Sequence, residues 1–135
     1  MYKNYNYHLW LESVIDPIYF RYRLHMRNKI DIKLLKAASE EFIGQRDYSS
    51  FSNAPKEGSC AKNPIRDLKA LNVIDQEGGV RLEFVGQSFL YKMVRNIMGT
   101  LLEVAMRRRN IETIKDLFKA KDRKVIGAPA PAHGL

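Results

Sequence analysis

The chain has 135 residues, 45% of them hydrophobic, and its 23 Lys and Arg against 15 Asp and Glu give a formal charge of +8. That length favours one domain, residues 1–135, around one modest core, and the apolar share excludes a disordered basic tail. A single cysteine, Cys60, excludes an internal disulfide and suits a reducing compartment. The opening MYKNYNYHLW lacks the apolar centre of a signal peptide, and no apolar run approaches the ~20 residues of a membrane span. A cytoplasmic chain without membrane contact is the expectation. His8, His25 and His133 are scattered, and no Cys, His or carboxylate spacing points to a metal site. A basic folded domain is suited to nucleic acid or another anionic surface.

Residues 2–12 alternate, with Tyr5, Tyr7, Leu9 and Leu11 on one side and Asn4, Asn6, His8 and Trp10 on the other, which predicts a strand. Core packing with the hydroxyls at the margin is the simplest account of the two tyrosines. Asp16-Pro17 breaks the pattern. Arg21, Arg23, His25 and Arg27 then alternate with Phe20, Tyr22, Leu24 and Met26, as a second strand or an extended basic segment. Either a solvated charged face or an RNA-facing one with interleaved aromatics fits that pattern. Asp31 to Ile43 reads as a helix with Asp31 as N-cap, stopped by Gly44. Gln45 to Asn63 reads as a long polar loop with Phe51 alone in its middle. Ile65–Asp75 and Val80–Val85 read as two strands joined by a turn at Gln76-Glu77-Gly78-Gly79.

The most periodic stretch is Gly86–Val104, GQSFLYKMVRNIMGTLLEV, with Ser88 as candidate N-cap. Its polar remainder is a narrow strip of Lys92, Asn96, Gly99 and Glu103, so the helix is expected to be largely buried. Arg95 falls at the border of that strip, where a partly desolvated guanidinium needs an anion or a set of carbonyls. Arg107, Arg108 and Arg109 close the helix and complement its dipole. Asn110 caps a short amphipathic helix, Ile111 to Ala120, and the tail GAPAPAHGL is too rich in Gly, Ala and Pro for regular structure. The sum is α+β: an antiparallel sheet with helices packed on one face.

The words YKNYNYHL, GQRDYSSF, CAKNPIRDL, GQSFLYKMVRNIMGTLLEV and GAPAPAHGL, in that order and at those distances, resemble the C-terminal half of the TruA-type tRNA pseudouridine synthases. The resemblance covers nearly the whole chain and implies half of a pseudouridine synthase fold. It further implies an isomerase that converts uridine to pseudouridine in the tRNA anticodon stem-loop, using an aspartate and neither metal nor organic cofactor. The target nucleotide must leave its stack, at a cost of a few kcal/mol. Carried onto matching positions, the resemblance makes Tyr5 the tyrosine that packs on the target base and helps relay a proton. Arg95 becomes the arginine that pairs with the catalytic aspartate. Arg66 takes a structural or RNA-contact role, and Phe89, Leu90 and Val94 form an apolar wall.

Three departures accompany the resemblance. The family's aspartate lies in a G-R-T-D-A-G-V-H motif that this chain lacks, and Asp47 and Asp67 stand in different surroundings. The family also continues past the final Gly-Leu into another strand. The family's arginine pair before the tyrosine is here Lys3 and Asn4. The expectation is therefore a fragment that binds tRNA, pairs with a separate chain supplying the other half, and is inactive alone. Family members form homodimers. The competing expectation is a non-catalytic RNA-binding module or an inactive remnant.

Overall fold

The computed structural model describes residues 1–53 and 63–135. Five strands form one sheet in the order β2-β1-β5-β4-β3: β1 Lys3–Trp10, β2 Leu24–His25, β3 Gly44–Asp47, β4 Ile65–Gln76 and β5 Gly79–Gly86. Every pairing is antiparallel except the two-residue parallel contact of β1 with β2, so the sheet is mixed. The period-2 pattern decides which face is covered. Tyr7 stands opposite Leu82, and Leu82 opposite Val73; Tyr5 stands opposite Phe84, and Phe84 opposite Leu71. The other face is polar, and Glu83 there accepts from Asn4 at 3.0 Å and from Asn72 at 3.1 Å across three strands.

Three helices complete the α+β fold: α1 Ile32–Glu40, α2 Met93–Ala105 and α3 Ile114–Ala120. Leu35 and Ala38 of α1, Ile97, Met98 and Leu101 of α2, and Leu117 and Phe118 of α3 join Tyr7, Leu9, Leu82 and Phe84 of the sheet in one buried cluster. Burial on that scale is worth about 1.5–3 kcal/mol for each large side chain. Phe51 is fully buried there, edge-on to Phe42 and tilted against Phe118 with both ring centroids 5.0 Å away.

Several local expectations change. Asp31 does cap α1, accepting from Lys33 and Leu34, but the helix ends at Glu40. The stretch after Gly44 is not one loop, since β3 and a 3-10 turn at Ser49–Phe51 occupy its first part. Cys60 and the Pro55, Gly58 and Ser59 positions lie outside the described residues. The basic segment after Pro17 is mostly turn, with only Leu24–His25 in the sheet. Asn110 caps a 3-10 turn, Ile111–Thr113, that leads into α3.

The outer edge of β1 is open over most of its length. Met26 donates to the Trp10 carbonyl at 2.9 Å on the β2 side, whereas Leu11 donates to Gly78 at 2.8 Å on the β5 side. Main-chain groups alternate in direction along a strand, so those of Asn4, Asn6 and His8 point away from β5. No strand among the described residues pairs with those of Asn4 and Asn6, whereas β2 lies against the His8 end through the Leu9–Leu24 pairing.

Candidate active site

α2 begins seven residues after β5 ends, and the connection builds the site. The helix starts at Met93, not near Ser88. Lys92 sits at its N-cap in the left-handed region (φ 59°) with no side-chain cap. That backbone reverses the chain, and Met93 donates to the Leu90 carbonyl at 3.0 Å. Residues 89–92 thus wrap over the helix entrance. A concavity of about 230 Å³ forms there, lined by Tyr5, Phe89, Leu90, Tyr91, Lys92, Met93, Val94, Arg95 and Leu135.

Tyr5 reaches the concavity from β1. The residue is 37% exposed, and its ring meets Phe89 edge to face at 5.0 Å between centroids and 88° between planes. Tyr7, two residues along on the same strand face, is fully buried and donates its hydroxyl to the Pro131 carbonyl at 2.5 Å. The same alternation therefore yields one tyrosine in the cavity and one beneath it. Burial pushes the Tyr7 phenol well above its ordinary range, while nearby Arg95 pulls the other way.

Arg95 is half-buried and lines the same concavity as Tyr5. Its Nε donates to the Ala130 carbonyl at 2.8 Å, and the Ala130 N–H donates to the Arg95 carbonyl at 2.9 Å. Its partner is thus a carbonyl, and Arg95 forms no ion pair among the described residues. No Asp or Glu side chain is among the described lining residues. The positive end of the α2 dipole, Lys92 and Arg95 give this corner a cationic character that suits a carboxylate or phosphate.

Phe89, Leu90 and Val94, expected from the sequence as an apolar wall, lie around the cavity with Tyr5 and Arg95. Arg66 does not. It is on β4, opposite Arg46 of β3, and its Nη1 donates to the carbonyls of Asn63 and Ile65 at the strand entrance. Tyr91 and Lys92 complete the lining; four and three residues before Arg95, they fall beside it in the helical pattern as well. Asn96 was misplaced by the helical pattern. It is buried and donates to the Phe51 carbonyl and to Asn53 Oδ1, both at 2.9 Å, while Asn53 donates to the Tyr91 carbonyl at 3.1 Å. A polar residue inside an otherwise apolar helical stretch was the one signal that could have found it.

Comparison with known proteins places this geometry in context. Residues 38–135 match the family profile described as tRNA pseudouridine synthase. Over 133 residues, 98% of the chain, it is 48% identical to tRNA pseudouridine synthase A 1 of Protochlamydia amoebophila, covering 52% of that protein. It is 41% identical to tRNA pseudouridine synthase A of Clostridium kluyveri and 35% identical to tRNA pseudouridine synthase A 2 of Bacillus cereus, covering 98% of this chain and 53% of each relative. The chain spans about half the length of the curated relatives it matches.

Proposed function

This chain belongs to the tRNA pseudouridine synthase family, and we propose that it carries one half of an active site that isomerises uridine to pseudouridine in the tRNA anticodon stem-loop. The observation that carries this reading is the meeting of Tyr5 and Arg95 in one concavity at the entrance of α2. An extruded uracil would lie against the Tyr5 ring, with Phe89, Leu90 and Val94 excluding water around it. The nucleophilic aspartate comes from outside these 135 residues. Arg95 keeps that carboxylate ionised in a water-poor pocket, since an adjacent guanidinium favours the charged form. Tyr5 relays a proton at the base. Arg66 holds the entrance of β4 and meets RNA only at the margin.

The aspartate-bearing half docks along the open edge of β1. A strand added there would run about 4.8 Å from β1, beside Tyr5, and would satisfy the main-chain groups of Asn4 and Asn6. Charge supplies the rest of the binding: at +8 the chain attracts the phosphates of tRNA. Pairing of two copies through the same edge is the homodimeric outcome, and sedimentation with and without the aspartate-bearing half separates the two. Liquid chromatography of nucleosides from an anticodon-arm transcript tests the activity. The purified chain alone yields no pseudouridine, and adding a polypeptide with the G-R-T-D-A-G motif yields it. Turnover by the chain alone would refute the half-site.

A further inference from the structure

Gly99, in the polar strip of α2, is covered by the segment that follows residue 126. Gly99 faces Ala128 so closely that a Cβ would collide with the Ala128 carbonyl oxygen. One turn earlier on the helix, the Arg95 backbone and side chain hold Ala130 by hydrogen bonds in both directions. Pro129 and Pro131 flank Ala130. Neither has an N–H and both have a fixed φ, so Ala130 contributes the sole donor of that tripeptide, and it is spent on Arg95. Pro131 in turn accepts from the Tyr7 hydroxyl, and a Cβ on Gly134 would strike the Tyr7 ring.

We propose that residues 128–135 form a strap, latched to the sheet by the Tyr7 hydroxyl, that aims the Arg95 guanidinium into the cavity. Tyr7 is thereby a positioning residue, acting through Pro131 and Ala130 and not by touching substrate. The Nε of Arg95 is committed to Ala130, so the plane of the guanidinium is set by the strap and its two Nη groups are left to meet an anion. The stiffness of the two prolines makes the coupling one of position: a shift at Pro131 moves the Ala130 carbonyl with it. The geometry of the strap stands by itself, whereas its catalytic consequence rests on the pseudouridine synthase reading above.

Tyr7→Phe removes the latch and keeps the ring, and Gly99→Ala lifts the strap from the opposite side. The readout is hydrogen exchange at the Arg95 Nε–H by nitrogen-15 NMR of the whole chain, with the Leu82 amide as a reference for the sheet. Losing one hydrogen bond in the chain of contacts is expected to speed Arg95 exchange about tenfold, with Leu82 unchanged. Unchanged Arg95 exchange in both variants would overturn the proposal. So would equal loss of protection at Arg95 and Leu82, which means general loosening. In the mixture with the aspartate-bearing half, Tyr7→Phe is expected to lower kcat and leave KM for the tRNA unchanged. If no mixture turns over while Tyr7→Phe still frees Arg95, the synthase reading fails and the strap stands.

Discussion

At the scale of the residue, one guanidinium holds a backbone carbonyl and, in the proposed half-site, also meets a carboxylate. Arg95→Ala should lower the single-turnover rate of the reconstituted enzyme by roughly 10²–10³, the usual loss when one charge-stabilising donor is removed. Arg95→Lys should recover little, because an ammonium cannot present Nε to Ala130 and two further donors to an anion in one plane. The buried phenols make a separate forecast. Tyr7 and Tyr48 are both raised above the ordinary 10.0 by burial, and Tyr48 also donates to Phe42 at 2.6 Å and Gly44 at 3.0 Å. The folded state therefore holds these protons more tightly than the unfolded chain. Their contribution to stability is fully present below pH 10 and is lost as pH rises beyond it. Urea midpoints should be flat to about pH 9 and fall above pH 10, less steeply for Tyr7→Phe. A midpoint that rises with pH in that window would contradict the assignment of burial as the cause.

The element that matters most is α2, and it shows what a sequence can and cannot disclose. Its apolar stripe is legible, and so are β1, β4, β5 and the Gly78-containing turn, because periods of two and 3.6 are local properties of the chain. The start of α2 is not legible. Ser88 has the chemistry of a cap, yet the chain instead turns through a left-handed Lys92, a conformation that nothing in the side chain of lysine announces. The polar strip misleads for a related reason. Asn96, Gly99 and Glu103 face other parts of the chain: Asn96 the segment around Phe51, Gly99 the strap, and Glu103 the side chain of Arg109 at 3.0 Å. Such contacts join positions far apart in sequence and leave no period behind. Tyr5 and Tyr7 are equivalent by alternation, and only the packing of Phe89 and Gly134 separates their roles. Only the motif points to Arg66, which stands on β4 and is not among the residues lining the cavity. Lys92→Gly offers a direct check on the turn. Relief of the left-handed backbone should stabilise the chain by about 1 kcal/mol, while loss of the ammonium should weaken RNA binding. A destabilised glycine variant in urea denaturation would count against the turn geometry.

On the scale of the whole molecule, the described residues form a basic α+β body with one polar sheet face, one buried face and, along β1, an open strand edge. No helix among the described residues is long and apolar enough to cross a membrane. An unpaired edge such as that of β1 invites a further strand, and this one belongs to the strand that carries Tyr5 into the cavity. Affinity of the chain alone for an anticodon arm should fall steeply with salt, as expected when phosphate neutralisation dominates, and log affinity should decline linearly with log salt. A salt-independent affinity would point to apolar contacts instead. These are the features that the proposed half-site, completed by another half, draws on. The most direct measurement is pseudouridine formation in an anticodon-arm transcript, by the chain alone and after addition of a polypeptide bearing the G-R-T-D-A-G aspartate. The account predicts no product in the first case, product in the second, and none when Arg95→Ala replaces the wild-type chain; product from the chain alone, or undiminished product with Arg95→Ala, would contradict it.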